Sequence, residues 1–242
     1  MSDYKKITGV KMSEGEGAEV NRLFPNDNYE GYHDPFVLMD EFSVEAPAKF
    51  SEHEHRGFEA ITYMLAGSFV HEDNQGNKTE VKAGGFQAFN AGKSIRHSER
   101  PGSEKFSHGI QLWVNLPQEK KDSEPFYYQV DQTKFIKNTK NVQIKEILGE
   151  NSPVNLNNKL KYLDIRINTN QEFSYSLDQD KTGILYLITG ELEMKDNIKS
   201  GEGLLLTGGV NFQIKIVEEA HFIIVSGKPH RQPIKIRGSF VE

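Results

Sequence analysis

Cysteine is absent from the 242-residue sequence. The chain therefore contains neither a disulfide framework nor a thiolate site for a metal ion. Any redox chemistry that the protein performs must then belong to a bound metal rather than to a thiol.

Clustered positive charge is also lacking. The chain has 29 Lys and Arg against 35 Asp and Glu, a net charge of −6, and a pI near 5.8. Because clustered Lys and Arg drive phosphate binding, we expect no direct contact with nucleic acid.

No apolar run approaches bilayer length, and the polar N-terminus has no apolar signal core. We expect a soluble, cytoplasmic protein, without a membrane contact and monomeric.

Glycine and proline are abundant, with 21 and 9 residues, and many of them recur at regular intervals. Regularly spaced glycine and proline residues favour many short strands joined by turns over long helices. The sequence therefore predicts an all-β protein, and its length allows one large domain or two of ordinary size.

Two short histidine-containing segments are candidates for a metal site. Alternate side chains of an extended strand share a face, so His53 pairs with His55, and His97 pairs with Glu99. Apolar residues flank both pairs, which indicates core strands rather than solvated ones. Two such pairs that face each other would form a metal site.

Three imidazoles and one carboxylate suit a divalent ion of borderline softness. Fe(II) is one such ion, and Mn, Co, Ni, Cu and Zn are also possible, because ligand type alone does not choose among them.

The chain also contains an internal repeat. Residues 61–67 match residues 184–190, and residues 81–84 match residues 198–201. The chain thus resembles two copies of one β unit.

The charged stretch of residues 118–140, which contains Pro125, is the predicted junction between these copies. We expect an N-terminal domain over residues 1–130 that binds the metal, and a C-terminal domain over residues 131–242 without ligands.

The second copy serves as a control for the first. The alignment places Ser176 and Asp178 at the positions of His53 and His55, and it places Ile214 and Ile216 at those of His97 and Glu99. The fold therefore does not require the four candidate ligands, so their presence in the first copy calls for a chemical reason.

The remaining histidines are expected to be surface or hydrogen-bonded residues rather than ligands. They are His71, His108, His221 and His230, and His33 is expected to be a surface or turn residue. Gln111 and Trp113 share one face of a predicted strand, where both could line the cavity of the site; for Trp113 a place in the core is the equal alternative.

Taken together, these segments resemble pirin, the two-barrel family of the cupin superfamily, over nearly the whole chain. The matching motifs are His53-x-His55-Arg56-Gly57-Phe58-Glu59, Ala91-Gly92 through His97-x-Glu99-x-Pro101, His108-Gly109-x-Gln111-Leu112-Trp113-Val114-Asn115-Leu116-Pro117, Asp34-Pro35-Phe36, and Gly227-x-Pro229 with Gly238-x-Phe240-Val241.

The resemblance implies two tandem cupin domains, with iron held by His53, His55, His97 and Glu99 and no metal in the C-terminal barrel. Many other cupins take their carboxylate ligand from the position of Glu59, so spacing alone leaves Glu99 and Glu59 open. This sequence departs from the family pattern at Glu54, where a proline is usual, and at residues 89–90. These departures leave the ligands intact but alter the surroundings of the pocket.

The resemblance also implies a function. Pirin-like proteins are associated with quercetin 2,3-dioxygenase activity, which would take a flavonol and O₂, and Glu99 would accept the proton of the flavonol's 3-hydroxyl group. The alternative is a redox-sensing iron protein that regulates a transcription factor or a metabolic enzyme by binding it. An isomerase or epimerase role fits less well, because the second barrel has no ligands.

Overall fold

The computed structural model describes residues 4–150 and 152–242, and antiparallel strands dominate it. The strands of the first half are β1 (Tyr4–Thr8), β2 (Val10–Glu14), β3 (Ala18–Phe24), β4 (Phe36–Glu45), β5 (Phe50–His55), β6 (Phe58–Asp73), β7 (Lys78–Lys82), β8 (Phe86–Asn90), β9 (Ile95–Pro101), β10 (Phe106–Asn115) and β11 (Phe126–Val130). A 3-10 turn, Gln118–Lys120, lies between β10 and β11. The all-β prediction is confirmed.

The second half also consists of strands. Its strands are β12 (Lys134–Asn138), β13 (Val142–Leu148), β14 (Lys161–Ile167), β15 (Gln171–Ser176), β16 (Thr182–Thr189), β17 (Glu191–Glu193), β18 (Ile198–Lys199), β19 (Glu202–Leu206), β20 (Asn211–Ile216), β21 (Ala220–Gly227), β22 (Ile236–Arg237) and β23 (Phe240–Val241). Within the described residues, no helix is both long and apolar enough to cross a membrane.

The N-terminal unit consists of β2 to β11. Seven of its strands follow the order β11-β8-β6-β10-β4-β3-β2. β7 and β9 pair with β6, and β5 pairs with β9, which completes a ten-stranded sheet. The sheet curls because the long strand β6 pairs with β8 and β10 over its first half and with β7 and β9 over its second half.

A glycine bends β6 between these two halves. Gly67 has a φ of +69°, and a Cβ atom there would lie 2.0 Å from the carbonyl oxygen of Phe106. Only glycine combines this left-handed conformation with so close an approach. The bend therefore changes the direction of β6 just before the half that pairs with β7 and β9.

The C-terminal unit consists of β1 and β12 to β21. Its larger sheet follows the order β1-β19-β16-β21-β14-β13-β12, and its smaller sheet follows β15-β20-β17-β18. β1 precedes the N-terminal unit in sequence yet pairs with β19.

The C-terminal tail makes the reciprocal crossing. Phe240 of β23 forms a bridge with Arg56 of the N-terminal unit. Lys121 fixes the same tail, since its ammonium group donates to the carbonyl oxygens of Gly57 and Val241. The expected division at residues 130 and 131 stays a prediction, and both ends of the chain cross it.

Side-chain alternation on β6 separates two cores. Phe58 and Ala60 belong to an apolar cluster inside the N-terminal unit. Ile61 and Tyr63 instead belong to a larger cluster that contains Leu205 and other residues of the C-terminal unit. Since burial of a large apolar side chain stabilises a fold by about 1.5–3 kcal/mol, this shared core holds the two units together.

Candidate metal centre

Strand pairing brings the histidines of the two motifs together. β5 and β9 are antiparallel neighbours, and His53 lies directly opposite His97. Because side chains alternate along β5, His55 projects to the same side as His53. One ligand nitrogen from each of His53, His55 and His97 lies within 4.8 Å of the others.

Hydrogen bonds to backbone carbonyls fix two of these rings. The Nδ1 atom of His53 lies 2.7 Å from the carbonyl oxygen of Ser51, and that of His55 lies 3.4 Å from the carbonyl oxygen of Ser239. A carbonyl oxygen only accepts, so in both rings Nδ1 carries the proton and Nε2 keeps its lone pair.

Burial keeps the His55 and His97 rings uncharged. His97 is 1% exposed and His55 is 3% exposed. Burial, reinforced by His53, lowers the pKa of His55 to about 3. Burial and the neighbouring imidazoles also hold the pKa of His97 well below its usual value. Neutral imidazoles are the form that binds metals.

The spacing of the rings fits a shared cation. The Nε2 atoms of His97 and His53 are 3.1 Å apart. Two nitrogens bound to one ion at about 2.1 Å, with angles of about 90° to 109°, would lie roughly 3.0–3.4 Å apart. Two facing lone pairs at this distance repel unless a cation lies between them, so the donor set fits a divalent metal.

Glu99 adjoins this cluster through His97. The Glu99 carboxylate, the His97 ring and the His71 ring have ligand atoms within 4.8 Å of one another. Gln87 Nε2 donates to Oε1 of Glu99 at 2.6 Å, and Gln111 Nε2 donates to Oε2 at 3.3 Å. Burial raises the pKa of Glu99 to about 7 although these hydrogen bonds oppose the shift.

Glu59 lies elsewhere. It shares the face of β6 that packs against the C-terminal unit, and its buried carboxylate accepts hydrogen bonds from the backbone and side-chain nitrogens of Asn157 and Asn158. Burial raises the pKa of Glu59, and these hydrogen bonds partly offset the rise. Glu59 belongs to neither ligand grouping found among the described residues.

Gln111 and Trp113 reach the cavity, and Trp113 also packs against the apolar core. Both line a cavity of about 390 Å³ that also contacts His53 and His55. Trp113 Nε1 donates to the Gln111 side-chain oxygen at 3.2 Å. Since an indole N–H only donates, this bond turns the Gln111 amide nitrogen towards Glu99.

Segments distant in sequence complete the cavity. Its walls include the aromatic rings of Phe42, Phe50 and Phe69, and Ile236, Gly238 and Ser239 come from the C-terminal tail. At its edge Arg22 and Asp40 form a two-pronged ion pair, with nitrogen–oxygen distances of 2.9 and 2.8 Å. The motifs alone gave no sign that the tail would reach this site.

His71 is the residue that the sequence-based prediction placed least well. It is hydrogen-bonded, as expected, but the surface alternative is wrong because the side chain is fully buried. Its Nδ1 atom lies 3.2 Å from Nδ1 of His97, and its Nε2 atom lies 2.9 Å from Asp73. Alternation with the buried Phe69 on β6 was the available signal that His71 points inward.

The other histidines are hydrogen-bonded away from the cluster, in agreement with the prediction. His33 contacts the carbonyl oxygen of Leu206, His108 contacts Glu41, His221 contacts Asp164, and His230 contacts Asn115 and Asn158.

The equivalent place in the C-terminal unit is apolar, but the expected residues need a correction. In β15 and β20 the pairing sets Phe173 opposite Ile214 and Tyr175 opposite Phe212. Phe173 and Tyr175 therefore correspond to His53 and His55, whereas Ser176 and Asp178 do not. The sequence alignment failed because the connection from β15 to β16 is longer than the equivalent connection from β5 to β6. These aromatic residues pack in the unit's core, and the expectation that the C-terminal unit binds no metal stays a prediction.

Two antiparallel β units, one with converging imidazoles and one with an apolar core at the same place, define a two-domain cupin. The N-terminal Pirin family profile matches residues 17–114, and the profile of the Pirin C-terminal cupin domain matches residues 162–242. The chain belongs to the pirin family.

Curated relatives cover the full chain. Pirin from Homo sapiens is 33% identical over 258 residues, which span 100% of this chain and 89% of that protein. A pirin-like protein from Solanum lycopersicum is 34% identical over 98% of this chain and 85% of its own length.

Solved structures show the same fold. A quercetin 2,3-dioxygenase from Acinetobacter baumannii superimposes with a TM-score of 0.87 at 23% identity, covering 98% of this chain and 90% of that one. The bacterial pirin YhhW from Escherichia coli, in complex with nickel(II), gives a TM-score of 0.76 at 19% identity, covering 93% and 99%.

Proposed function

We propose that the protein is a metal-dependent dioxygenase of the quercetin 2,3-dioxygenase type, with His53, His55, His97 and Glu99 as the metal ligands. The observation that carries the proposal is the convergence of three imidazoles beside a buried carboxylate. The structural likeness to the Acinetobacter baumannii quercetin 2,3-dioxygenase supports the choice of reaction.

Fe(II) is the proposed metal, and the nickel(II) in YhhW supports a divalent ion at this kind of site. When bound, such an ion supplies a Lewis-acidic, redox-capable centre for a chelating substrate and O₂.

The cavity suits a flat aromatic substrate. Its volume of about 390 Å³ falls within the usual range of about 300–1,000 Å³ for small-molecule sites. The aromatic walls would pack against the rings of a flavonol, while the polar groups near the histidines would orient its oxygens.

Glu99 is the proposed proton acceptor for the flavonol's 3-hydroxyl group. It is the one carboxylate in the proposed ligand set, so it is the base nearest to a flavonol oxygen that enters this site. Gln87 and Gln111 each donate to one of its oxygens, and they would hold the carboxylate in place as the proton arrives.

The test is a flavonol assay with Fe(II)-loaded protein prepared without oxygen and then exposed to it. We expect loss of the flavonol absorbance band, uptake of O₂ and release of carbon monoxide with a depside product. Metal-free protein is the blank. Loaded protein that does not exceed this blank would remove the dioxygenase proposal.

No specific observation favours the regulatory alternative. Among the described residues, the exposed large apolar side chains lie on several different elements rather than on one. A partner captured only in one oxidation state of the metal, together with a negative flavonol assay, would reverse this preference.

A further inference from the structure

A chain of buried hydrogen bonds extends outward from the metal cluster. Asp73 Oδ2 lies 2.9 Å from His71 Nε2, and His71 Nδ1 lies 3.2 Å from His97 Nδ1. His97 Nε2 then faces His53 Nε2 at 3.1 Å. The side chains of Asp73 and His71 are fully buried.

The direction of these hydrogen bonds follows from the carboxylate. An ionised aspartate only accepts, so the proton of His71 lies on Nε2 and its Nδ1 keeps a lone pair. That lone pair accepts the Nδ1 proton of His97, and the Nε2 lone pair of His97 is left free on the side of the cluster.

His53 and His55 are also protonated at Nδ1, but a different kind of acceptor fixes their tautomer. His53 and His55 donate their Nδ1 protons to backbone carbonyl oxygens. His97 has His71 at this position instead. His71 thus takes the part that a carbonyl oxygen takes for the other two rings.

Both members of the chain are held in place by other contacts. Asp73 Oδ1 accepts the backbone N–H groups of Gln75 and Asn77, at 2.9 and 3.0 Å, which ties the carboxylate to the turn after β6. The Tyr127 ring stacks on the His71 ring with centroids 4.4 Å apart. Neither group can rotate without breaking these contacts.

We propose that His71 and Asp73 are positioning residues that hold His97 in the tautomer protonated at Nδ1, so that its Nε2 atom is free to bind the metal. This inference rests on the metal site proposed above. Groups of this kind, which orient a ligand without touching the ion, typically raise metal affinity by about 10–100-fold.

His71 is also close enough to His97 and Glu99 to be a ligand itself. Its two ring nitrogens already face Asp73 and His97, however. A bond from His71 to the ion would cost one of these contacts, so the orienting role fits the geometry better.

Nitrogen NMR of the histidine-labelled wild-type protein tests the tautomers directly. In metal-free protein we expect His71 to be protonated at Nε2 and His97 at Nδ1. Addition of Zn(II), which is diamagnetic, should shift Nε2 of His97 and leave both nitrogens of His71 without a metal bond. The opposite tautomer of His97, or a Zn(II) bond to His71, would overturn the proposal.

Variants test the consequence for affinity. His71→Phe keeps a ring against Tyr127 but removes both nitrogens, and His71→Asn restores an oxygen near the position of Nδ1. We expect His71→Phe to weaken Co(II) binding by about 10–100-fold in competition with a chelator, and His71→Asn to recover most of the loss.

The matched control is His221→Phe, because His221 forms a comparable buried pair with Asp164, at 2.6 Å, in the C-terminal unit. It should bind Co(II) like the wild type. Wild-type affinity in His71→Phe, with folding checked by circular dichroism, would contradict the proposal. Wild-type protein that binds no Co(II) would instead contradict the metal site itself.

Discussion

His97 occupies the centre of the buried cluster, since its two ring nitrogens face His53 and His71 at 3.1 and 3.2 Å. We expect His97→Ala to lose most of the bound metal, because the change removes one of the proposed ligands. Elemental analysis after loading measures the loss. His108→Ala is the control, because His108 contacts Glu41 outside the cluster. Full metal occupancy in His97→Ala would rule out the proposed ligand set.

Glu59 and Glu99 are both buried, but their partners differ. Glu59→Gln should retain the metal and lower the free energy of unfolding by about 1–3 kcal/mol, because an amide has one oxygen and cannot accept all the donors of Asn157 and Asn158. Glu99→Ala should retain much less metal. Metal titration and urea unfolding of both variants measure these effects. If Glu59→Gln retained less metal than Glu99→Ala, Glu59 would replace Glu99 as the proposed carboxylate ligand.

Glu99→Gln separates the proposed proton transfer from the fold. Gln is close in size to Glu but cannot accept a proton at neutral pH. General bases typically contribute about 10²–10⁴-fold, so flavonol turnover should fall by this factor, expressed per bound metal. An unchanged rate per metal ion would remove Glu99 from the role of base.

At the scale of the strand, the bend in β6 depends on Gly67. Gly67→Ala should destabilise the protein by about 2 kcal/mol or more, because alanine would add both left-handed strain and a clash with the Phe106 carbonyl oxygen.

Gly76→Ala separates the two effects. Gly76 has a φ of +89°, but a Cβ atom there would have no other atom within 4 Å. We therefore expect a loss of stability from backbone strain alone, about 1–2 kcal/mol. Thermal unfolding of both variants gives the difference. Equal losses would show that the close approach at Gly67 has no effect.

At the scale of the whole molecule, the two units share one apolar core. Tyr63 also donates to Asp164 across the interface at 2.5 Å. We therefore expect the metal-free protein to unfold in one transition. Fluorescence of Trp113, the single tryptophan, reports on the N-terminal unit, and far-UV circular dichroism reports on both.

The midpoints from these two probes should coincide, and Tyr63→Phe should lower them together. Two separate midpoints would show that the units unfold independently and that the shared core is weaker than its burial indicates.

The sequence by itself determined the fold class, the repeat and the candidate ligands. Turn residues and period-2 alternation are local properties, so strands and their faces could be read from neighbouring residues. The same alternation places His53 and His55 on one face of their strand, and His97 and Glu99 on one face of theirs. The family followed from the ordered motifs.

The tertiary structure decided which faces meet. Glu59 and Phe58 are neighbours in sequence, yet one faces the C-terminal unit and the other the interior. Contacts across long sequence separations placed His71 beside His97, brought Ser239 to His55, and replaced the expected Ser176 and Asp178 by Phe173 and Tyr175. Strand register and the path of the chain ends fix these contacts, and neither leaves a local pattern in the sequence.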